Sequence, residues 1–269
     1  MGKRLTVQDI FIYPIKSLGG IRLNDAVVEE KGFRYDRRWM LVDAEGVSIT
    51  QRKYPQLALI QVALGEKGLR VFKKTAEEIY VEIPYDLATG PALRVTIWDD
   101  QVLAKTVHPD FDVWFSNFLG VKVSLVNMPE SAHRKVDARY AVHGESVSFA
   151  DGMPYLLIGQ ESLNDLNSRL EVSVPMNRFR PNIVFAGGSP FLEDSLRKIK
   201  VGELEFQIVK PCARCVLTTV DQESGVKGKE PLKTLASYRT INGKVYFGQN
   251  LVALQSGTIK VGDEIVSIA

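Results

Sequence analysis

The chain has 269 residues, enough for one large domain or two of ordinary size; 45% are hydrophobic, 25% are charged, and the formal net charge is +2. This is the make-up of a soluble globular protein, and its near-neutral balance excludes the charge excess of nucleic-acid or anionic-membrane binders, so any anion site must be a local cluster. No apolar run approaches the ~20 residues that span a bilayer, and two cysteines in so long a chain do not make a disulfide framework.

The N-terminal stretch MGKRLTVQDIFIY has basic residues but no long apolar region and no small-residue cleavage site, unlike a signal peptide. Leu5, Val7, Ile10 and Ile12 alternate instead, which predicts a strand and a cytoplasmic protein. YPIKSLGG (13–20) then sets Lys16 and Ser17 directly after that strand, with Gly19 and Gly20 behind them. A lysine, a hydroxyl and the N–H groups of a glycine turn suit a phosphate. The order is not that of a Walker loop, and a plain β-turn accounts for the same residues. In YDRRWMLVD (35–43), Arg37 and Arg38 would face opposite sides of a strand, one toward a ligand and one toward solvent.

MLVD-AEG-VSIT (40–50), LALIQVAL-GEKG-LRVFK (57–73) and RVTIW-DDQ-VLAKTV (94–107) each read as a hairpin, and EIYVEIPY (78–85) adds a strand. Such spacing points to a barrel or sandwich. A helix is predicted over 109–120, with Asp110 as N-cap and Gly120 as its stop. A composition shift near 105–125 marks a boundary between an all-β part and a mixed part. The segment 127–152 is long, polar and pattern-poor, the mark of a functional loop or of disorder.

QESLNDLNSRLE (160–171) is the clearest helix; Ser162 and Asp165 resemble a capping box, and Leu163, Leu166 and Leu170 form a core stripe. NRFRPNIV (177–184) holds Arg178 and Arg180 two apart, on one face if extended, with Pro181 favouring extension and Asn182 able to donate and accept. For each arginine cluster the plain alternative is a solvated surface pair. NIVFAG, KVGELEFQIV, KVYFG and GTIKVGDEIVSI read as strands, the last a hairpin-like closing element, and PLKTLASYR (231–239) as a short helix.

KPCARCVLTTVD (210–221) holds both cysteines. Structural zinc needs four ligands, and His108, His133 and His143 supply no spaced pair. A redox dithiol needs a helix N-terminus, whereas VLTTV after Cys215 is β-branched and reads as a strand. Two buried thiols at a strand start are the ordinary outcome. Lys210 and Arg214 make a cationic setting that favours the thiolate, which is both nucleophile and soft-metal ligand. The residues alone leave the inert and the reactive thiol both open.

YPIKS, GFRYDRRWMLVD, FADGMPYLLIGQESLNDLNSRL, NRFRPNIV, CARCVLTTVD, FGQN and GTIKVGDEI occur in the same order in one family. Through them the chain resembles the MOSC proteins with an N-terminal β-barrel extension, a group that includes the mitochondrial amidoxime-reducing component and its bacterial counterparts. The resemblance implies a β-rich α+β fold: a barrel-like N-terminal domain over 1–115, then a MOSC-type β-barrel domain with a few helices over 116–269. It implies the molybdenum cofactor between them, with Cys215 as metal ligand and Cys212 unassigned. It places Lys16, Ser17 and Arg37 around the pterin phosphate, and Arg180, Asn182, Ala213 and Arg214 at further cofactor contacts. Asp151, in the FADGM stretch, becomes a cofactor-proximal residue and a candidate proton relay. Asn250 of FGQN stands where the amidoxime-reducing component has a tyrosine.

The activity implied is reduction of N-hydroxylated compounds such as amidoximes and hydroxylamines, with no nucleic acid and no membrane involved. With no four-cysteine [2Fe–2S] domain, membrane anchor or sulfurase module in the chain, electrons are expected from separate ferredoxin- or cytochrome-type proteins and a flavin reductase. The alternative is a cofactor or sulfur carrier that uses Cys215 without turnover of its own.

Overall fold

The structure, a computed structural model, describes residues 4–87 and 90–268; Met1 to Lys3 of the quoted N-terminal stretch lie outside the described residues. The first strand, Leu5–Ile12, buries Val7, Ile10 and Ile12. Its inward positions switch from odd to even because the register shifts between Val7 and Asp9, which inserts one residue and turns the following side chains over.

That strand pairs with Ile183–Ala186 on one side and Glu264–Ile268 on the other. The ladder continues through Lys198–Val201, Leu204–Ala213 and Lys244–Ala253 to Tyr155–Gly159, which pairs back to Ile183–Ala186. Seven strands thus close on themselves, leaving no free edge among them. Phe185, Ile199, Phe206, Leu251 and Ile265 fill the interior together with Val7 and Ile10. The closed barrel is therefore built from the C-terminal half of the chain plus the strand at its N-terminus.

The rest of the N-terminal half forms an open half-barrel. One sheet joins Trp39–Val42, Ser124–Asn127, Asp100–Thr106 and Ala92–Ile97; a meander joins Ile60–Leu64, Gly68–Lys73 and Ala76–Pro84. The architecture is β-rich as expected, with three α-helices among the described residues, at Pro109–Leu119, Gln160–Asn167 and Leu232–Tyr238. No helix of the described residues is long and apolar enough to cross a membrane.

Several local expectations change. His108, not Asp110, caps the first helix: its ring Nδ1 accepts from the Asp110 N–H, while Gly120 ends the helix in the left-handed conformation as expected. The second helix stops at Asn167, and Ser162 makes no capping box. Its hydroxyl donates to buried Glu193 and accepts from the Phe191 N–H, an inward use that competes with capping. Leu163 and Leu166 do line the core.

The arms of 40–50 meet at a single bridge, Val42 with Ser48, and the arm starting at Leu57 opens with a 3-10 turn over Pro55–Leu59. The closing element is not a hairpin. Gly257–Lys260 pairs with Asp25–Glu29, whereas Glu264–Ile268 joins the barrel. The long polar segment is ordered around Arg134, whose buried guanidinium binds the carbonyls of Ser148, Ala150 and Asp151. It lacks an apolar pattern because polar groups organise it.

Candidate functional site

Four sharp backbone features deliver the site. After the first strand, Ser17 sits at φ 68°, and the N–H of Lys16 is tied to the Trp39 carbonyl at 2.8 Å. The glycines that follow serve packing. The Gly19 N–H is already bonded to the Ile60 carbonyl, and a Cβ at Gly20 would fall 2.4 Å from the Tyr13 ring. Arg37 is at φ 51° in a turn before the strand, so it reaches the site while Arg38 points the other way to Glu29.

Arg180 is not extended before Pro181. It adopts the left-handed conformation at φ 53°, ending the 3-10 turn Met176–Phe179, and that turn carries Arg178 to the same cleft. Cys215 follows the strand Leu204–Ala213 and begins a 3-10 turn over Val216–Thr219, where β-branching predicted a strand.

These features line one cleft of about 300 Å³. All ten residues singled out from the sequence face it: Lys16, Ser17, Arg37, Asp151, Arg180, Asn182, Ala213, Arg214, Cys215 and Asn250. Arg52, Arg178 and Lys210 join them, so seven cationic side chains surround a single carboxylate, Asp151. Both cysteines are free and half-buried, and Cys212 also lines the cleft.

Lys16 is buried and donates to the Phe149 carbonyl at 2.7 Å and to Asp151 at 2.6 Å. Burial draws its ammonium down to about 8, with the Asp151 charge opposing. Desolvation acts to raise the Asp151 carboxyl, but the Lys16 and Arg52 charges outweigh it and hold the group far below the usual carboxylate range. The Asp151 side chain is 54% exposed, so its ionised state rests on those two cations rather than on enclosure.

Arg52 grips both sides of the site. Its Nη2 donates to Asp151 at 2.7 Å and its Nε to the Cys215 sulfur at 3.3 Å. Arg37 bonds Asp36, Asn182 Oδ1 and the Arg180 carbonyl. The guanidiniums of Arg37 and Arg180 lie 4.4 and 4.1 Å from the Tyr13 ring centroid. Desolvation pulls Arg180 down to about 10 and pushes the Tyr13 phenol up to about 12, so at neutral pH the first is charged and the second is not. Asn182 donates to the Phe11 carbonyl and to Asp36, and Arg214 to the carbonyls of Phe247 and Phe179.

Three donors on residues that line the cleft are left over. Arg178 Nε, Arg180 Nη2 and Arg214 Nη2 are buried and find no acceptor among the described residues. Buried N–H groups are rarely left unpaired in folded proteins, and three on one cleft point to an anionic ligand. No cluster of three or more His, Cys, Asp and Glu able to hold a metal exists among the described residues. A metal here would rest on Cys215 and on ligands brought by a cofactor.

Arg52 is the residue that sequence reasoning missed. In QRK it reads as half of a surface basic pair, and nothing in its spacing announces a partner 163 positions away. The sequence presents Arg178 only as the partner of Arg180, two residues away.

The MOSC N-terminal beta barrel domain family matches residues 4–122, and the MOSC domain family matches residues 144–266. Mitochondrial amidoxime-reducing component 1 of Mus musculus is 34% identical over 97% of this chain and 81% of its own length. The Homo sapiens protein of the same name is 33% identical over 97% and 82%. Molybdenum cofactor sulfurase of Oryza sativa subsp. japonica is 32% identical over 90% of this chain, which spans 32% of that protein. With both family matches laid along a barrel and half-barrel whose shared cleft gathers the matching motifs, the chain belongs to the MOSC proteins that carry an N-terminal MOSC β-barrel domain.

Proposed function

We propose that this chain binds the molybdenum cofactor in the cleft and reduces N-hydroxylated compounds with electrons from separate proteins. The observation that carries the reading is the set of three orphaned arginine nitrogens on a cleft that also holds the free Cys215 thiol. The residues fit such a group. An anionic phosphate and dithiolene match donors that the protein leaves unpaired, and a thiolate suits molybdenum. Cys215 would be the protein's ligand to the metal. Lys16, Ser17, Arg37, Arg180, Asn182, Ala213, Arg214 and Asn250 would hold the remainder. The chemistry supplied by the bound cofactor is two-electron removal of oxygen from an N–O bond.

The chain's own residues then have separable tasks. Arg178, Arg180 and Arg214 offer fixed N–H donors whose geometry is set by carbonyl and carboxylate partners. Asp151 anchors Lys16 and Arg52 in place. As an ionised group clamped by two cations, it would carry a proton only when one of them loosens. The reading includes a cytoplasmic setting, where free thiols persist, and redox partners of ferredoxin or cytochrome type with a flavin reductase. Relatives named for amidoxime reduction, matched over about four-fifths of their length, support it.

The test is turnover. Protein from a host that makes the cofactor is mixed with such an electron chain and benzamidoxime, and benzamidine is measured. Wild type should form it, and Cys215→Ala should lose at least about a hundredfold in rate, as removal of a ligand to the reacting metal requires. A molybdenum-loaded protein that no donor drives would contradict the reading. A persulfide on Cys215 in molybdenum-free protein would select the carrier alternative.

A further inference from the structure

Trp98 is exposed to 57%, and it sits in the left-handed region at φ 55°. Bulky aromatic residues rarely occupy that region, and such outliers cluster where function requires a fixed geometry. It occupies the two-residue tip of the hairpin Ala92–Ile97 and Asp100–Thr106, closed by the pair Ile97 with Asp100. Its ring is not idle: the Arg52 guanidinium carbon lies 4.3 Å from its centroid. Arg52 in turn reaches the Cys215 sulfur and the Asp151 carboxylate. One exposed indole is thus joined by a single stacked side chain to the two chemically distinctive groups of the cleft.

The hairpin is also tied down. Arg134, only 4% exposed, donates its Nε to Asp100 at 2.8 Å, beside the tip. The same guanidinium holds the carbonyls of Ala150 and Asp151. One buried guanidinium thus ties the strand residue beside the tip to the loop that carries Asp151.

We infer that Trp98, backed by Arg52, is a specificity-determining wall of the cleft mouth that selects planar aromatic substrates by stacking on the open part of the indole. The inference rests on the reductase reading and names the side chain that sets substrate preference within it. An aromatic ring stacks on another with an offset or edge geometry and gains beyond simple burial. The Arg52 cation lying over the ring restrains the indole, so less freedom is lost when a second ring joins it.

The test compares two substrates that share the reacting group and differ in the ring, benzamidoxime and acetamidoxime, using molybdenum-loaded wild type, Trp98→Phe and Trp98→Ala. The ratio of kcat/KM for benzamidoxime over acetamidoxime should fall about tenfold in Trp98→Ala, the scale of one stacking contact, mostly through KM, and should largely recover in Trp98→Phe. Equal ratios within about twofold in all three would overturn the inference and leave the reductase reading intact. Binding gives an independent readout. Benzamidoxime should quench the indole emission saturably in wild type, and Trp98→Phe should abolish that component although Trp39 and Trp114 remain. If neither compound is reduced, the quenching alone decides: its loss in Trp98→Phe upholds the stacking wall, and its absence in wild type rejects it.

Discussion

Lys16 shows most clearly how a single side chain of this cleft is held. It is buried against a carbonyl and a carboxylate, and burial lowers its ammonium to about 8, well under the ordinary lysine value. The sign of the consequence is fixed. Below about pH 8 the lysine is charged in folded and unfolded chains alike, and the folded state carries the full desolvation cost. Between that value and the ordinary lysine range, the unfolded chain binds more protons, so unfolding free energy rises with pH. Cofactor-free wild type should gain roughly 2 kcal/mol relative to Lys16→Met between pH 7.5 and 9.5, from the linkage relation. Urea unfolding at the two pH values measures it, and parallel pH dependences for the two proteins would show that Lys16 is not buried as a cation. At this scale the sequence was most legible. Cys215, Lys16 of YPIKS, Arg37 of DRRW and both arginines of NRFR reach one cleft, because a turn follows or precedes each strand that carries them, whereas Arg38 turns away to Glu29. Arg52 was not legible, since its importance comes from tertiary contacts with Cys215, Asp151 and Trp98 that leave no local pattern.

Elements were legible where pattern alone decides them and illegible where a buried polar group or a bend overrides it. The alternating N-terminal strand is there, but its bulge at Val7–Asp9 is what lets both Val7 and Ile10 face inward. Ser162 looked like a cap and instead serves Glu193, because a buried carboxyl needs a donor more than an exposed helix end does. The strand Lys244–Ala253 depends on Gly248. That residue sits at φ 80°, and a Cβ there would fall 2.6 Å from Ile158 Cγ1 and 2.8 Å from the Leu157 carbonyl oxygen. Here the strand pairs with Leu204–Ala213 on one side and Tyr155–Gly159 on the other, which closes the barrel. Gly248→Ala should destabilise the protein by roughly 2–3 kcal/mol, combining left-handed strain with overpacking. The shift in urea midpoint reads this directly, and a change under about 0.5 kcal/mol would mean that the closure tolerates a side chain.

Over the whole molecule, the N-terminal strand is the device that joins the two halves. Leu5–Ile12 completes a barrel whose other six strands lie between Tyr155 and Ile268. Lys16 and Ser17 follow directly from it into the cleft that Cys215 enters from the opposite end of the chain. A fragment spanning 116–269 should therefore be poorly packed alone, with weak near-ultraviolet dichroism, and should regain native packing when co-expressed with 1–115. Native dichroism from the fragment alone would show that the strand is dispensable. Composition and periodicity revealed the β-rich class but not this exchange, because strand pairing across the full chain length leaves no trace in local pattern. The central claim, that the orphaned arginine donors and the Cys215 sulfur are one cofactor site, meets its most direct test in the molybdenum content of protein purified from a cofactor-producing host. The account predicts about one molybdenum per chain in wild type and in Cys212→Ser, and little in Cys215→Ala or Arg180→Ala, since removing a ligand or its supporting donor weakens metal binding steeply. Metal-free wild type from a host that loads a relative, or equal content in wild type and Cys215→Ala, would contradict it.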